Sequence, residues 1–316
     1  MDQPSARKVH LNPVPRVGGV AIFLAVIVAA VALGREYNFA QFGSIVVGAA
    51  GISFMGLIDD RWGLGFVVKM IGQVLAALLL YATGIYVGLT PYEWLNLLIS
   101  VFWLGYITNG INFLDNMDGL AGGVSAIAAA YFALMCAFSG QYLVGALSVA
   151  VLAACLGFLI YNLNPASIFM GDSGALFLGF VLAAIGIKLR FPDNVQFVTW
   201  MVPVLVMGMP IFDTTMVILS RLRRRIPPWT AGKDHVSHRL VAVGMSPREA
   251  VLTIYAVCFV LGILAVFVTQ ASILEGYAVG GAVFLAALYG LWRLERPEFL
   301  AHLSTGDRGA ASARHA

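Results

Sequence analysis

The chain has 316 residues, of which 60% are hydrophobic and only 11% are charged, and its mean hydropathy is +0.88. Soluble domains carry about 25% charged residues, so the composition excludes a soluble globular protein and indicates an integral membrane protein. The formal net charge of +3 means little as a total, and no nucleic-acid partner is expected.

Apolar stretches of about 17–23 residues recur along the chain, so they are interpreted as membrane spans and not as one cleavable leader. The predicted fold is all-α and polytopic, with a single transmembrane domain over 1–303 and a cytoplasmic tail, 304–316, expected to be disordered. Ten spans are predicted, at about 18–34, 42–58, 64–83, 95–111, 119–139, 142–161, 174–190, 197–219, 249–269 and 273–292.

The distribution of lysine and arginine predicts the orientation of these spans. With the N-terminus inside, the inside segments hold fifteen of the nineteen basic residues and the outside loops hold three, while Lys69 lies within a span. The positive-inside rule favours this orientation, in the cell membrane.

Seven of the sixteen acidic residues are aspartates at the ends of apolar segments or in the loops between them. An ionised carboxylate at the bilayer centre costs roughly 2.5–3.5 kcal/mol, so these groups must face water, a metal or each other. The span count puts almost all of them on the cytoplasmic side, which predicts one cytoplasmic-face site. They are Asp59, Asp60, Asp115, Asp118, Asp172, Asp213 and Asp234.

The first motif is Asp59-Asp60-Arg61, at the end of the second predicted span. Adjacent carboxylates can bind a metal, hold a substrate or share a proton, and they can equally form a salt-bridged helix end. Lys69 follows inside the third span, where it either snorkels to the interface or contacts a phosphate or carboxylate in a cleft.

The second motif is the segment 109–119, in which Asn112, Asp115 and Asp118 recur at intervals of three. On a helix this spacing puts them on one face, as a polar strip suited to sugar hydroxyls, a base edge or metal-bound water. Asn/Asp/Gly density is also typical of a helix end and turn.

The third motif is the segment 162–174, which includes Asn162, Phe169 and Asp172. Asp172 precedes the seventh span, where its carboxylate can reach a cation or simply cap the helix, and Phe169 can stack on a base or lie at the interface.

The fourth motif, His235-Val236-Ser237-His238-Arg239, lies in a long basic loop and offers donors for phosphate oxygens. A zinc pair is the weaker alternative, since no Cys or third His is nearby. Asp213, within the eighth span, is a candidate either for function or for an interhelix hydrogen bond.

Together these motifs resemble the polyprenyl-phosphate N-acetylhexosamine-1-phosphate transferases, of glycosyltransferase family 4. The resemblance covers roughly residues 7–270, and the Pro-Arg-x-Gly-Gly start and the His-x-x-His-Arg-Leu loop are similar to the N-acetylglucosamine branch. Its segments are 7–10, 15–19, Asp59-Asp60, 112–118, 169–174, 210–213 and 235–240.

The resemblance implies a role for each motif. Asp172 corresponds to the Mg²⁺ ligand, with Mn²⁺ as an alternative ion, and Asp59 and Asp60 to the catalytic pair. His235, His238 and Arg239 correspond to a catalytic loop that contacts the diphosphate or sugar. The substrate-binding positions implied are Lys69, Asn112, Asp115, Asp118, Asn162 and Phe169.

Two departures from the family pattern stand out. Ser237 replaces the middle histidine of the usual His-x-His-His motif, and the family has one more span before the segment 7–10. These departures leave the role of position 237 and the number of spans open, while the inside-outside parity of the site is unaffected.

The resemblance implies transfer of N-acetylhexosamine-1-phosphate, with N-acetylglucosamine favoured, from a UDP-sugar to polyprenyl (undecaprenyl) phosphate, releasing UMP in cell-envelope glycan synthesis. The alternatives are a phospho-N-acetylmuramoyl-pentapeptide transferase, and a transporter or lipid flippase with polar groups spread through the bilayer midplane. The expected partners are both substrates and the lipid bilayer. The many glycines permit close helix packing, so a homodimer stays open.

Overall fold

The computed structural model describes residues 14–33, 39–230, 232–296 and 298–299. Within them the chain forms thirteen helices and no β-strand, and the segment 7–10 and the tail 304–316 lie outside the described residues. The helices are α1 (Gly18–Leu33), α2 (Phe39–Trp62), α3 (Phe66–Ala82), α4 (Glu93–Leu114), α5 (Leu120–Ser139), α6 (Tyr142–Asn162), α7 (Gly171–Lys188), α8 (Gln196–Thr199), α9 (Met201–Val206), α10 (Gly208–Arg223), α11 (Val236–Ala242), α12 (Pro247–Val268) and α13 (Ile273–Leu294).

Most of these helices are built to cross a bilayer. Among the described residues, seven are long and apolar enough to span, and the bent run α8–α10 makes an eighth if taken as one span. The helices α1 and α3 are shorter but apolar. The predicted all-α, multi-pass class is confirmed, and the count of ten spans stays a prediction.

The last two long helices begin at signals that are legible in the sequence. Ser246 and Glu249 form a capping box at the start of α12, and Ser272 and Glu275 form another at the start of α13. In each box the serine side chain and the glutamate side chain satisfy backbone N–H groups at the helix start, which fixes where the helix begins.

Helix α7 is the centre of the bundle, with 83% of its apolar stretch buried, and it packs against α1, α2 and α4. Glycines permit this close packing. A Cβ added at Gly19 of α1 would lie 2.2 Å from the backbone nitrogen of Gly174, and one at Gly56 of α2 would lie 2.5 Å from the Cα of Ser173. Backbone contact at both places sets the start of α7 against the end of α2.

The eighth predicted span, 197–219, is wrong as a single straight helix. The chain bends by 72° between the run Gln196–Val206 and α10, with Met207 at the break. Pro210 lies in the first turn of α10 and has no N–H to donate to the carbonyl of Val206, so a continuous helix would lose a hydrogen bond there.

Candidate active site

Five polar side chains meet at one end of the bundle and are named here the carboxylate cluster. They come from the C-terminal ends of α2 and α4, the first turn of α3 and the start of α7, and are Asp59, Asp60, Lys69, Asn112 and Asp172. Lys69 Nζ lies 2.7 Å from Asp59 Oδ2 and 3.6 Å from Asp172 Oδ2. Asn112 Nδ2 donates to Asp172 Oδ1 at 3.1 Å. Of the two alternatives for Lys69, the structure therefore favours contact with carboxylates in a cleft.

Asp60 caps helix α7 from a distant part of the chain. Its Oδ1 accepts the N–H of Asp172 at 3.1 Å, and its Oδ2 accepts the N–H of Ser173 at 3.2 Å. Gly171, with φ +73°, makes room, because a Cβ there would lie 2.7 Å from Asp60 Oδ2. Both carboxylate oxygens of Asp60 are thus occupied in holding the helix that carries Asp172.

Asp59 differs from its neighbour in what it contacts. Its Oδ1 accepts the N–H of Leu64 at 2.5 Å and its Oδ2 accepts from Lys69. It is therefore linked to Asp172 through the ammonium group that lies between them. The two members of the predicted catalytic pair therefore differ. Asp60 supports the fold, whereas Asp59 contacts Lys69, which in turn contacts the more exposed Asp172.

Asp115, directly after α4, faces the same cluster. Burial, together with the nearby carboxylates of Asp172 and Asp60, raises the pKa of Asp115 to about 7. Asp115 also accepts a hydrogen bond from the backbone of Gly171. A carboxyl group held close to other carboxylates favours a cation at this position.

Asp118 and Asn162 join two loops. Asp118 Oδ2 accepts from Asn164 Nδ2 at 3.0 Å and from the N–H of Ala166 at 3.1 Å. Asn162 is 4% exposed, and its amide accepts from the N–H of Gly119 and donates to the carbonyl of Ile168. Both ends of the Asn162 amide therefore hold the loops in place, and its predicted contact with substrate stays a prediction.

The histidine loop reaches the site through Asp213. His235 Nδ1 lies 2.8 Å from Asp213 Oδ2, and the N–H of Val236 donates to Asp213 Oδ1 at 2.7 Å. Asp213 is fully buried, and the His235 ring also meets the edge of Phe113, with His238 next to it. Because Asp213 contacts Nδ1 of His235, Nε2 is the ring nitrogen that can contact a phosphate oxygen.

The C-terminal end of α4 connects the histidine loop to the carboxylate cluster. Asn112 contacts Asp172, and the next residue, Phe113, packs on His235. Ser237 Oγ donates to Asn116 Oδ1 at 2.7 Å, which ties α11 to the loop after α4. The serine that replaces the family's middle histidine therefore has a structural partner.

Arg239 was expected to contact the diphosphate or sugar, and the structure places its side chain inside the protein. Its side chain is 0% exposed, and all its recorded hydrogen bonds go to protein acceptors. These bonds and the burial give Arg239 a role inside the fold in this conformation. The predicted contact of Arg239 with the diphosphate or sugar stays a prediction.

A second buried ion pair supports the same loop. Arg221 donates to both oxygens of Asp234, from Nε at 3.0 Å and from Nη2 at 2.7 Å, and Arg224 Nη2 adds a bond of 2.6 Å. Burial alone would raise the pKa of Asp234, but the hydrogen bond and charge of Arg221 prevail and lower it to about 2. Arg221 and Arg224, at the end of α10, therefore hold the start of the histidine loop.

The donor set suits Mg²⁺ completed by a substrate. Asp172 has a side chain 32% exposed, the most open carboxylate of the cluster, with Asn112 and the ammonium of Lys69 beside it. In the part of the chain described here, no group of three or more His, Cys, Asp or Glu is arranged to hold a metal. Mg²⁺ commonly uses one or two carboxylates, with water and substrate phosphates supplying the rest.

Phe169, expected to stack on a base, is half-buried beside Asp172. Its backbone N–H donates to the carbonyl of Pro15 and its own carbonyl accepts from Gly18, so the 15–19 motif is bonded to the loop before α7. Sequence reasoning did not assign this contact. The signal available was Gly18-Gly19, since paired glycines permit such an approach.

Comparison with known proteins agrees with this geometry. Residues 42–190 match glycosyl transferase family 4. The chain is 38% identical, over 86% of its length and 78% of the relative's, to a probable undecaprenyl-phosphate N-acetylglucosaminyl 1-phosphate transferase of Bacillus subtilis. It is 33% identical, over 90% of its length and 80% of the relative's, to a decaprenyl-phosphate N-acetylglucosaminephosphotransferase of Mycobacterium leprae.

A more distant relative is a phospho-N-acetylmuramoyl-pentapeptide-transferase of Bacillus licheniformis, at 28% identity over 80% of the chain and 83% of the relative. All three matched relatives are named as transferases, and none as a transporter. The degree of identity and the share of both chains covered leave no doubt about the relationship: the protein is a member of glycosyl transferase family 4.

Proposed function

We propose that this protein transfers N-acetylglucosamine-1-phosphate from UDP-N-acetylglucosamine to a polyprenyl phosphate such as undecaprenyl phosphate and releases UMP. The observation that carries the proposal is the identity of 38% to the Bacillus subtilis relative, together with the meeting of Asp59, Lys69 and Asp172 at one end of the bundle. The product would be the first lipid-linked intermediate of an envelope glycan.

The lipid phosphate needs little activation to act as the nucleophile. With a second pKa near 6, like that of phosphoserine, it is largely ionised at neutral pH. The obstacle is bringing one anion onto another, so the site must supply positive charge and alignment. Lys69 supplies a cation between two carboxylates, and Asp59 is placed to orient the incoming phosphate or accept its proton.

The reaction proceeds by direct in-line attack of the lipid phosphate on the sugar-linked phosphorus, with UMP as the leaving group. The bond from that phosphorus to the bridging oxygen breaks as the new phosphorus–oxygen bond forms, so a diphosphate-linked lipid results. A covalent aspartyl-phosphate at Asp59 is the other route. Asp60 is the less suitable nucleophile because its oxygens hold the N–H groups at the start of the helix that carries Asp172. Asp59 instead bonds Lys69 and the loop residue Leu64.

Mg²⁺ is proposed at Asp172, with Asp115 close by. When bound there, it would neutralise the diphosphate of the donor and the charge that develops on the leaving UMP. The chain's own residues do the rest: Asn112 orients the Asp172 carboxylate, and Asp213 orients His235 for contact with phosphate oxygens.

The site is proposed to face the cytoplasm. The supporting observation is the excess of basic residues in the segments on the same side as the carboxylate cluster, fifteen against three. UDP-sugars are made in the cytoplasm in the proposed scheme, so the donor would arrive from that side and the lipid from within the bilayer.

A substrate panel tests the proposal. The purified protein, in detergent with undecaprenyl phosphate and Mg²⁺, is offered UDP-N-acetylglucosamine, UDP-N-acetylgalactosamine or UDP-N-acetylmuramoyl-pentapeptide in turn, and UMP is measured. We expect release with the first donor, lost on chelation of the divalent ion. Turnover of the pentapeptide donor alone would assign the muramoyl reaction instead, and no release with any donor would contradict the proposal.

A further inference from the structure

The guanidinium of Arg239 joins three separate parts of the chain. Its Nε donates to the carbonyl of Asp234 at 2.9 Å and its Nη2 to Ser220 Oγ at 3.0 Å. Its Nη1 donates at 2.7 Å to both the carbonyl of Leu294 and Glu295 Oε1. The start of the histidine loop, the end of α10 and the end of α13 therefore meet on one fully buried side chain.

The end of α13 is otherwise a remote element. Only 6% of its apolar stretch is buried, and it lies at the periphery of the bundle. Near its start, Tyr277 Oη donates to the carbonyl of Phe197, far along the helix from the histidine loop. The contacts of Leu294 and Glu295 with Arg239 thus add buried polar bonds to the packing of the end of α13, where Gly290 approaches the ring of Phe212.

From this geometry we infer that Glu295 is a positioning residue for the proposed transfer. Its bond to Arg239 holds α11 against the end of α13, and α11 in turn fixes the positions of His235 and His238. Arg239 lies on α11 itself, one residue after His238 and four after His235. A displacement of its guanidinium therefore moves the helix that carries both histidines.

The charge balance around Arg239 supports this assignment. A fully buried guanidinium needs both its charge and its N–H groups satisfied, and Glu295 is the carboxylate that contacts it. Asp234, the other acid nearby, already has Arg221 and Arg224, and offers Arg239 only its backbone carbonyl. Loss of the Glu295 side chain would leave a buried cation without a carboxylate.

Arg223 supplies a matched control. It also contacts Glu295, at 3.4 Å to Oε2, but its side chain is 67% exposed and lies on the solvent side of the pair. Exposed ion pairs contribute little to stability, so loss of Arg223 should leave α11 in place.

The experiment compares Glu295→Ala, Glu295→Gln and Arg223→Ala by hydrogen–deuterium exchange of the α11 peptide and by steady-state kinetics. We expect Glu295→Ala to speed exchange in 236–242, but not in α5, by about tenfold or more, as loss of a charge-assisted hydrogen bond implies. Its kcat should fall by a similar factor while KM for the UDP-sugar changes less than about threefold. Glu295→Gln, which keeps an acceptor oxygen but loses the charge, should fall between Glu295→Ala and wild type in both measurements, and Arg223→Ala should match wild type.

The inference rests on the proposed function only for the kinetic readout, because exchange in α11 is measured without substrate. Unchanged exchange and kcat in Glu295→Ala would overturn it, and so would faster exchange spread evenly over all helices. If Glu295→Ala does not fold, Glu295→Gln decides: faster exchange confined to 236–242 together with a lower kcat supports the inference. Wild-type exchange with wild-type kcat contradicts it, and so does failure to fold.

Discussion

Asp213 and His235 lie 22 residues apart in the chain and form a fully enclosed pair, with Asp213 Oδ2 at 2.8 Å from His235 Nδ1. The other oxygen of Asp213 accepts the N–H of Val236 at 2.7 Å. One carboxylate from the bent span thus fixes both the ring of the histidine and the first turn of α11. A carboxylate that contacts one ring nitrogen of a histidine fixes the tautomer and the orientation of the ring.

Replacing Asp213 with Asn should therefore impair chemistry more than binding. The amide keeps the shape but removes the charge that orients His235, and such supporting residues typically cost about 10–100-fold in activity. Steady-state UMP release should show this loss in kcat. Thr215→Val, on the same helix but bonded to Tyr106, is the control and should remain near wild type; equal activity of the two variants would contradict the assignment.

Backbone contact between α2 and α7 predicts a sharp difference between two glycines of one helix. A Cβ at Gly56 would lie 2.6 Å from the carbonyl oxygen of Asp172, whereas one at Gly51 would meet nothing within 4 Å. Gly56→Ala should push the helices apart and lower both activity and the melting temperature in detergent. Gly51→Ala should be neutral or stabilise by roughly 0.5–1 kcal/mol through helix propensity.

The two N–H groups that Asp60 accepts belong to the first turn of the buried helix α7. In Asp60→Ala they would lose their partner, at a cost of about 1–3 kcal/mol, and Asp172 would lose its fixed position. Thermal unfolding and UMP release should both decline. Arg61→Ala changes the exposed neighbouring residue and should leave both unchanged; a fully stable Asp60→Ala protein would refute the capping role.

The Asp234 pair predicts a pH dependence of stability with a definite sign. The pKa of Asp234 is lowered from 3.8 to about 2 in the folded state, so its ion pair with Arg221 and Arg224 stabilises the fold above about pH 4. That contribution, about 2 kcal/mol from the shift, is lost as the pH falls from about 4 to about 2. Between pH 5 and 8 it should be constant.

Unfolding of wild type and Asp234→Asn across this range checks the prediction. The variant should be less stable at neutral pH, and the gap between the two proteins should narrow below pH 4. A gap that widens on acidification would show that Asp234 is not held ionised by the arginines.

Much of the architecture was legible in the sequence because its physical causes are local. Apolar runs of span length predicted the long helices, and Ser246 and Ser272 with their following glutamates marked two helix starts. The Asn/Asp/Gly density of 109–119 correctly suggested a helix end, and the order of the motifs identified the family. The prediction that Asn112, Asp115 and Asp118 share one helix face was wrong, because α4 ends at Leu114.

The sequence could not show which of two similar side chains contacts a residue far away in the chain. Asp59 and Asp60 are adjacent and identical, yet one meets Lys69 and the other caps α7, a division that only the packing of α2 on α7 creates. The sequence motif predicts that Arg239 contacts phosphate, whereas in the structure the end of α13 covers its guanidinium. The bend at Met207 was hidden by continuous hydropathy.

Turnover by Asp172→Asn tests the central claim most directly, since the account requires the carboxylates of one cluster to act on the donor diphosphate. UMP release from UDP-N-acetylglucosamine and undecaprenyl phosphate is measured for wild type, Asp172→Asn and Asp59→Asn, with folding monitored in detergent. We expect both variants to fold and to lose at least about 90% of turnover, in line with the loss of a group that stabilises charge in the transition state. If either folded variant kept more than about 10% of the wild-type rate of UMP release, the account would be contradicted.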